Sequence, residues 1–288
     1  MTPIRTIAII GAGTMGHGIA YAAAFAGYRV CITDVDPSTL EHGIERIHAS
    51  FEKAIERGKC TPDARDAALA CLSSNSTPDE TVADADVVIE AIPERLELKQ
   101  RLFADIEHYV RPEALLASNT SSLSIGAIAQ VLRHRERVLG MHFFNPVPVM
   151  KLLEIVRGTE TSDTAVERAR AFAESLGKTP IVVRDTPGFA TSRLGVVLGL
   201  EAIRMLEQGV ASVEDIDRAM ELGYNHPMGP LKLTDVVGLD VRLAIAEHLH
   251  ATLGGDTYAP PQLLREMVRD GRLGKKSGQG FYSWENTR

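Results

Sequence analysis

Thr6-Ile7-Ala8-Ile9-Ile10-Gly11-Ala12-Gly13-Thr14-Met15-Gly16 is the stretch that decides how the rest of the chain is read. Its first five residues are mostly apolar and β-branched, which predicts a buried strand over residues 6–10. Three glycines at GxGxxG spacing follow, and residues 15–26 then carry a helical pattern. Each glycine has its own task in that setting. Gly11 permits the tight turn out of the strand, Gly13 lets the backbone approach a pyrophosphate, and Gly16 allows the helix to lie close on the strand. With Ala12, Thr14 and Met15 between them, the loop would present the helix's unpaired N–H groups and positive dipole end to phosphates.

A GxGxxG on its own is weak, but this one has company. A second strand is predicted at residues 29–33, and Asp34 ends it. An acid about 20 positions past the glycines is placed to accept from the ribose 2′- and 3′-hydroxyls. It would also repel a 2′-phosphate, and Val35 and Asp36 follow it rather than an arginine. NAD is therefore expected over NADP, while FAD stays open on this segment alone.

Outward from the loop, short apolar runs at residues 87–90, 115–118, 138–141 and 152–156 read as strands. Helical patterns fill 40–57, 96–109 and 164–176. Such alternation implies βαβ units and a mostly parallel sheet. A boundary falls near Asp185-Thr186-Pro187-Gly188, just after a strand-like run at 181–183. Beyond it, only helical patterns occur, at 188–207, 213–221, 231–253 and 261–270, with Thr186 and Pro187 as an N-cap and first-turn pair. The expectation is an α/β chain: a Rossmann-type doubly wound sheet over residues 1–184, then an all-helical domain over 185–288.

Composition sets bounds. At 288 residues the chain can bury large cores without disulfides or structural metals, and no metal site is expected. A formal charge of −7 argues against a nucleic-acid or anionic-membrane surface. Cys31, Cys60 and Cys71 lack CxxC spacing and read as free thiols of a reducing compartment. The N-terminal residues run straight into the first strand with no secretory signal pattern, so a cytoplasmic location is expected. The most apolar helical segment, 188–207, carries Arg193, Glu201 and Arg204 and does not read as a membrane span.

Oxidising a secondary alcohol needs a base to take the hydroxyl proton as hydride leaves carbon. Histidine suits that role, with an unperturbed pKa of about 6.5. His142 lies at the end of the run 138–141, where open α/β sheets carry their ligand crevice. Glu154 sits within Leu-Leu-Glu-Ile-Val, a costly place for a carboxylate unless it is paired. A turn through residues 145–148 would make the two segments neighbours. Glu154 would then hold His142 in one tautomer and stabilise the imidazolium. A structural His–Glu pair is the competing reading. Ser118-Asn119-Thr120-Ser121-Ser122 follows another strand, an end where hydroxyls and amides can contact cofactor or substrate oxygens; by itself it reads more often as a helix N-cap ahead of 124–132.

Taken together, several segments resemble the 3-hydroxyacyl-CoA dehydrogenase family. They are SNTSSL at 118–123, HFFNPVPVMKLLE at 142–154, DTPGF at 185–189, PMGP at 227–230 and GKKSGQGFY at 274–282. The resemblance implies His142 as general base and Glu154 as its orienting partner, with Ser121 on the substrate's 3-oxygen. It implies cofactor contacts from Glu94, Lys99, Ser121, Asn145 and Lys276. It also implies an acyl-CoA substrate, and a helical domain that closes over it and supplies a homodimer interface. One position departs from the pattern: Ser192 stands where the family usually has an asparagine that helps bind the thioester oxygen. Its single hydroxyl on a shorter arm would act through water or leave the task elsewhere.

Arg46, Lys53 and Arg57 are spaced seven and four apart on one helical face, and Lys59 extends them. This stripe, Lys53 above all, could receive the CoA phosphates, or it could be an ordinary solvated face paired with Glu45, Glu52 and Glu56. Two other functions compete with the acyl-CoA reading: a dehydrogenase of free hydroxy acids such as gulonate or carnitine, and a non-catalytic NAD-binding protein.

Overall fold

The computed structural model describes residues 3–284. The chain divides into two units, one ending at Thr186 and the other beginning at Pro187. The first unit carries strands β1 (Thr6–Ile10), β2 (Arg29–Thr33), β3 (Leu72–Ser74), β4 (Val87–Glu90), β5 (Leu115–Ser118), β6 (Val138–Phe143), β7 (Leu152–Arg157) and β8 (Thr179–Arg184). Its helices are α1 (Gly16–Phe25), α2 (Pro37–Glu56), α3 (Pro62–Ala70), α4 (Pro78–Val82), α5 (Leu96–Ile106), α6 (Ile125–Ala129) and α7 (Asp163–Ser175).

The eight strands form one sheet in the order β3-β2-β1-β4-β5-β6-β7-β8. Pairing from β3 through to β6 is parallel, β7 runs antiparallel to β6, and β8 is parallel to β7. The first six strands follow the doubly wound dinucleotide-binding order, whose switch point lies between β1 and β4. Every residue of β4, β5 and β6 is buried. Helices cover both faces, which is why these strands read as unbroken apolar runs rather than alternating ones. Ile7, Ile9, Ile32, Val87, Ile89 and Leu115 pack with Ile19 of α1 and Ile47 and Phe51 of α2 in the main core. Helix starts follow local chemistry. Asp36, Ser124 and Ser162 accept from first-turn N–H groups of α2, α6 and α7.

Some elements differ from the sequence expectation. β6 runs on to Phe143 and so takes His142 into the strand. β3, α3 and α4 carry no predicted counterpart. β3 is three residues long, one leucine and two serines, and shows no periodicity to read.

The second unit holds α8 (Thr191–Glu207), α9 (Val213–Gly223), α10 (Pro230–Val237), α11 (Leu239–Leu253) and α12 (Gln262–Arg269). Val196, Leu200, Ile203, Ile216, Leu231, Leu249 and Leu264 build its core. Two boundaries move. α8 begins at Thr191 rather than residue 188, because Gly188 (φ +74°) and the buried Phe189 (φ +49°) are left-handed and cannot open a helix. Thr186 and Pro187 are therefore not its cap and first turn; Ala190 holds the N-cap position. The single helix expected over 231–253 is broken at Gly238 (φ +103°) into α10 and α11. Among the described residues, no helix is long and apolar enough to cross a membrane.

Candidate active site

The parallel strands β1, β4, β5 and β6 end on one edge of the sheet, and the chemistry-bearing residues of the first unit gather there. Gly11 leaves β1 at φ +101°, where a Cβ would also stand 2.7 Å from the Ala91 carbonyl oxygen. A Cβ on Gly16 would fall 1.7 Å from the Gly11 carbonyl oxygen, so α1 can approach β1 only with glycine there. Gly13 is different: a Cβ on it would meet nothing within 4 Å. It faces a cavity of about 720 Å³ that Gly11, Thr14, Met15, Asp34, Ile92 and Pro93 also line. The space kept free by Gly13 is thus not filled by protein. At the start of α1, Met15 makes no side-chain cap, which leaves backbone N–H groups available to a phosphate.

Asp34 closes the loop from the far side. Its Oδ2 accepts from the Ala12 N–H at 2.7 Å and its Oδ1 from the Asp36 N–H at 3.0 Å. The carboxylate is fixed at the mouth of β2 beside the cavity, the position an acceptor for ribose hydroxyls requires. Gly43 of α2 lets that helix press on the loop, since a Cβ there would lie 2.6 Å from the Ala12 carbonyl oxygen.

Beside this cavity, Glu94 organises the segment after β5. Its Oε1 accepts from Thr120 Oγ1 (2.6 Å), Ser121 N–H (2.8 Å) and Ser122 N–H (3.1 Å), with Ser121 Oγ at 3.3 Å. Burial pushes this carboxyl upward, but the Thr120 hydroxyl, the Lys99 charge and the Ser121 N–H outweigh it and hold it below the ordinary range. Lys99 is itself buried; its Nζ lies 2.5 Å from Glu90 Oε1 and 3.4 Å from Glu94 Oε2. Asn119 joins the neighbouring strand ends by accepting the Phe143 N–H at 2.9 Å.

His142 and Glu154 stand opposite each other in the β6–β7 register. The imidazole Nδ1 lies 2.7 Å from Glu154 Oε2. Glu154 is fully buried, His142 nearly so, and the Phe144 ring tilts against the imidazole with centroids 4.4 Å apart. An oriented imidazole therefore sits on the same sheet edge as a dinucleotide-shaped loop.

Known proteins resemble the chain along almost its whole length. Residues 6–186 match the model for the NAD-binding domain of 3-hydroxyacyl-CoA dehydrogenase, and residues 188–284 match the model for its C-terminal domain. The chain belongs to the 3-hydroxyacyl-CoA dehydrogenase family. It is 46% identical over 282 residues, 98% of each chain, to a probable 3-hydroxybutyryl-CoA dehydrogenase of Bacillus subtilis. A Mycobacterium tuberculosis 3-hydroxybutyryl-CoA dehydrogenase is 43% identical over 98% of this chain and 99% of that one. The crystal structure of the (S)-3-hydroxybutyryl-CoA dehydrogenase of Ralstonia eutropha aligns with a TM-score of 0.95 and 42% identity, over 99% of this chain and all (100%) of that one. As a member of this family the chain is an NAD-dependent dehydrogenase, and the non-catalytic reading falls away.

The remaining predicted site residues of this dehydrogenase lie in several places. Asn145 is exposed just past β6, where the Asn145–Pro146 peptide is cis. Ser192 lies in the first turn of α8, and Lys276 pairs with Asp240 at 2.6 Å; both belong to the second unit. Lys53, Arg57 and Lys59 line a separate cavity of about 240 Å³ with Tyr21, Phe25, Pro148 and Val149. Arg46 does not line it. Sequence reasoning missed Glu90 and Gly43 as supports of the site, and it read Ser118 and Asn119 only as part of a polar segment at the end of β5, not as the groups that tie that segment to Glu90 and Phe143. Glu90 was detectable: it is a carboxylate ending the apolar run Val-Val-Ile-Glu, the same signal that singled out Glu154.

Proposed function

We propose that this dehydrogenase oxidises (S)-3-hydroxybutyryl-CoA to acetoacetyl-CoA, reversibly, with His142 as general base. The observation that carries this reading is the 2.7 Å pair between His142 Nδ1 and the buried Glu154 carboxylate. A carboxylate can only accept, so Nδ1 carries a hydrogen, and it is the neutral ring, with its lone pair at Nε2, that acts as the base. Nε2 takes the 3-hydroxyl proton while C3 loses its hydride, leaving a ketone and an imidazolium that Glu154 stabilises. Bound NAD supplies the hydride acceptor. The glycine loop and Asp34 fit its pyrophosphate and ribose, and Glu94, Lys99, Asn145 and Lys276 take the family's other cofactor roles. Ser121 hydrogen-bonds the substrate's 3-oxygen. Ser192 takes the place of the family's asparagine toward the thioester, and Lys53 is the first candidate for a CoA phosphate.

The choice of a CoA thioester over a free acid rests on the names of the close relatives and on the Pro227-Met228-Gly229-Pro230 segment. We assign cofactor binding to residues 1–184, with Lys276 the exception, and substrate closure and dimerisation to 185–288. Exposed Leu194, Leu222 and Tyr224 on the helical unit support a homodimer, which sedimentation would read directly. A cytoplasmic location completes the reading. The deciding experiment compares acetoacetyl-CoA with free acetoacetate as oxidant of NADH. A strong preference for the thioester is expected, and equal rates sink the CoA assignment.

A further inference from the structure

Glu90 ends β4 at the switch point of the sheet, one strand from the glycine loop and one from Ser118. The side chain is fully buried and makes three hydrogen bonds. Its Oε1 accepts from the Lys99 ammonium at 2.5 Å and from the Ile92 N–H at 2.8 Å. Its Oε2 accepts from Ser118 Oγ at 2.6 Å. Two routes lead from this carboxylate to Ser121. Along one, Lys99 reaches Glu94 Oε2 at 3.4 Å, and Glu94 Oε1 holds the Ser121 N–H and hydroxyl. Along the other, Ser118 Oγ accepts the Thr120 N–H at 3.3 Å, one residue before Ser121. The routes meet at Thr120, whose hydroxyl also donates to Glu94. The result is a closed ring tying the end of β4, the first turn of α5 and the end of β5.

From this ring we infer that Glu90 is a positioning residue of the reaction, setting the Ser121 hydroxyl through Lys99 and Glu94. The inference rests on the proposed substrate and on the role of Ser121. A packing role alone would not need a charge at this depth. Ionised carboxylates are expensive to bury, and an apolar residue of similar volume would serve stability at least as well. Burial does push the Glu90 carboxyl above its ordinary range, with the Lys99 charge and three hydrogen bonds pulling the other way. What the carboxylate adds is geometry. It holds one ammonium, which reaches a second carboxylate, and that carboxylate accepts from the Ser121 N–H and hydroxyl.

The test is a double-mutant cycle on acetoacetyl-CoA reduction by NADH, using Glu90→Gln, Ser121→Ala and the pair, each with a thermal melt. Glu90→Gln keeps the side-chain shape and should lower kcat by about tenfold. The double variant should then be no slower than Ser121→Ala within about twofold, because the support has no effect once the hydroxyl is gone. Multiplied single effects, or an unchanged kcat for Glu90→Gln, overturn the inference. If Glu90→Gln does not fold, Ser118→Ala removes one bond to the same carboxylate and is read in the same cycle with the same two outcomes. A wild-type enzyme inert toward acetoacetyl-CoA overturns the functional reading and this inference with it. An active wild type with multiplied single effects overturns only the coupling.

Discussion

His142 on β6 and Glu154 on β7 face each other across an antiparallel strand pair, with Nδ1 2.7 Å from Oε2. Antiparallel pairing does what a loop could not. It brings two residues far apart in sequence into direct opposition on one face, and it holds both backbones in a ladder. The imidazole gains its orientation from the sheet itself. Glu154 is fully buried, and the pairing puts a carboxylate where an imidazolium forms, in surroundings that strengthen the attraction between them.

Replacing Glu154 by Gln is expected to lower kcat by roughly 100-fold or more while the protein still folds. The amide would offer the imidazole a donor or a weak acceptor in place of a charge, so the tautomer is no longer fixed. His142→Ala should fall within about the same range, 100- to 10,000-fold. Steady-state reduction of acetoacetyl-CoA measures both. Near-wild-type rates for His142→Ala would leave the chemistry without this base.

Much of this site was readable because burial makes certain residues conspicuous. The glycines of β1–α1 and Asp34 stand at spacings that only a few backbone geometries need. Glu154 announced itself as a charge within an apolar run. Glu90 gave the same signal at the end of β4 and went unread, since its partner Lys99, nine residues on in α5, is taken in the sequence as a cofactor contact and not as a buried counter-ion. The helical unit was less legible. Its boundaries turn on left-handed residues at Gly188, Phe189 and Gly238, and a buried Phe at φ +49° has no sequence signature. There tertiary packing overrode local propensity.

The glycine loop offers a paired test. Gly16→Ala places a Cβ 1.7 Å from the Gly11 carbonyl oxygen, so α1 must move off β1 and Tm should drop by several degrees. Gly13→Ala meets no protein atom and should leave Tm nearly unchanged while raising KM for NADH by about tenfold or more. Melts and NADH titrations separate the two. An unaltered NADH KM in Gly13→Ala would show that the cavity beside it does not take the pyrophosphate.

Asp34 should govern the choice of dinucleotide. Its carboxylate is fixed by the Ala12 and Asp36 N–H groups, so it cannot swing away from an incoming 2′-phosphate. Asp34→Asn keeps an acceptor for Ala12 but removes the charge. The ratio of kcat/KM for NADPH to that for NADH is expected to rise by about tenfold or more. A ratio that does not change would place the ribose elsewhere.

Glu94 carries a pH signature whose sign can be worked out. Although burial raises its pKa, the Thr120 hydroxyl, Lys99 and the Ser121 N–H prevail, and the folded pKa lies below the ordinary value. An unfolded glutamate titrates near about 4.3. A carboxyl with a depressed folded pKa contributes stability that is complete above the unfolded value and is lost as pH falls through the folded one. Glu94→Gln removes that contribution at every pH. Near pH 7 the variant should therefore melt below the wild type, and the gap should narrow as melts are taken from about pH 5 down to about pH 3. Part of the carboxylate is open to solvent, so added salt should shrink the gap at neutral pH as well. A gap independent of pH would mean that Glu94 supports the Ser121 segment by shape alone, without its charge.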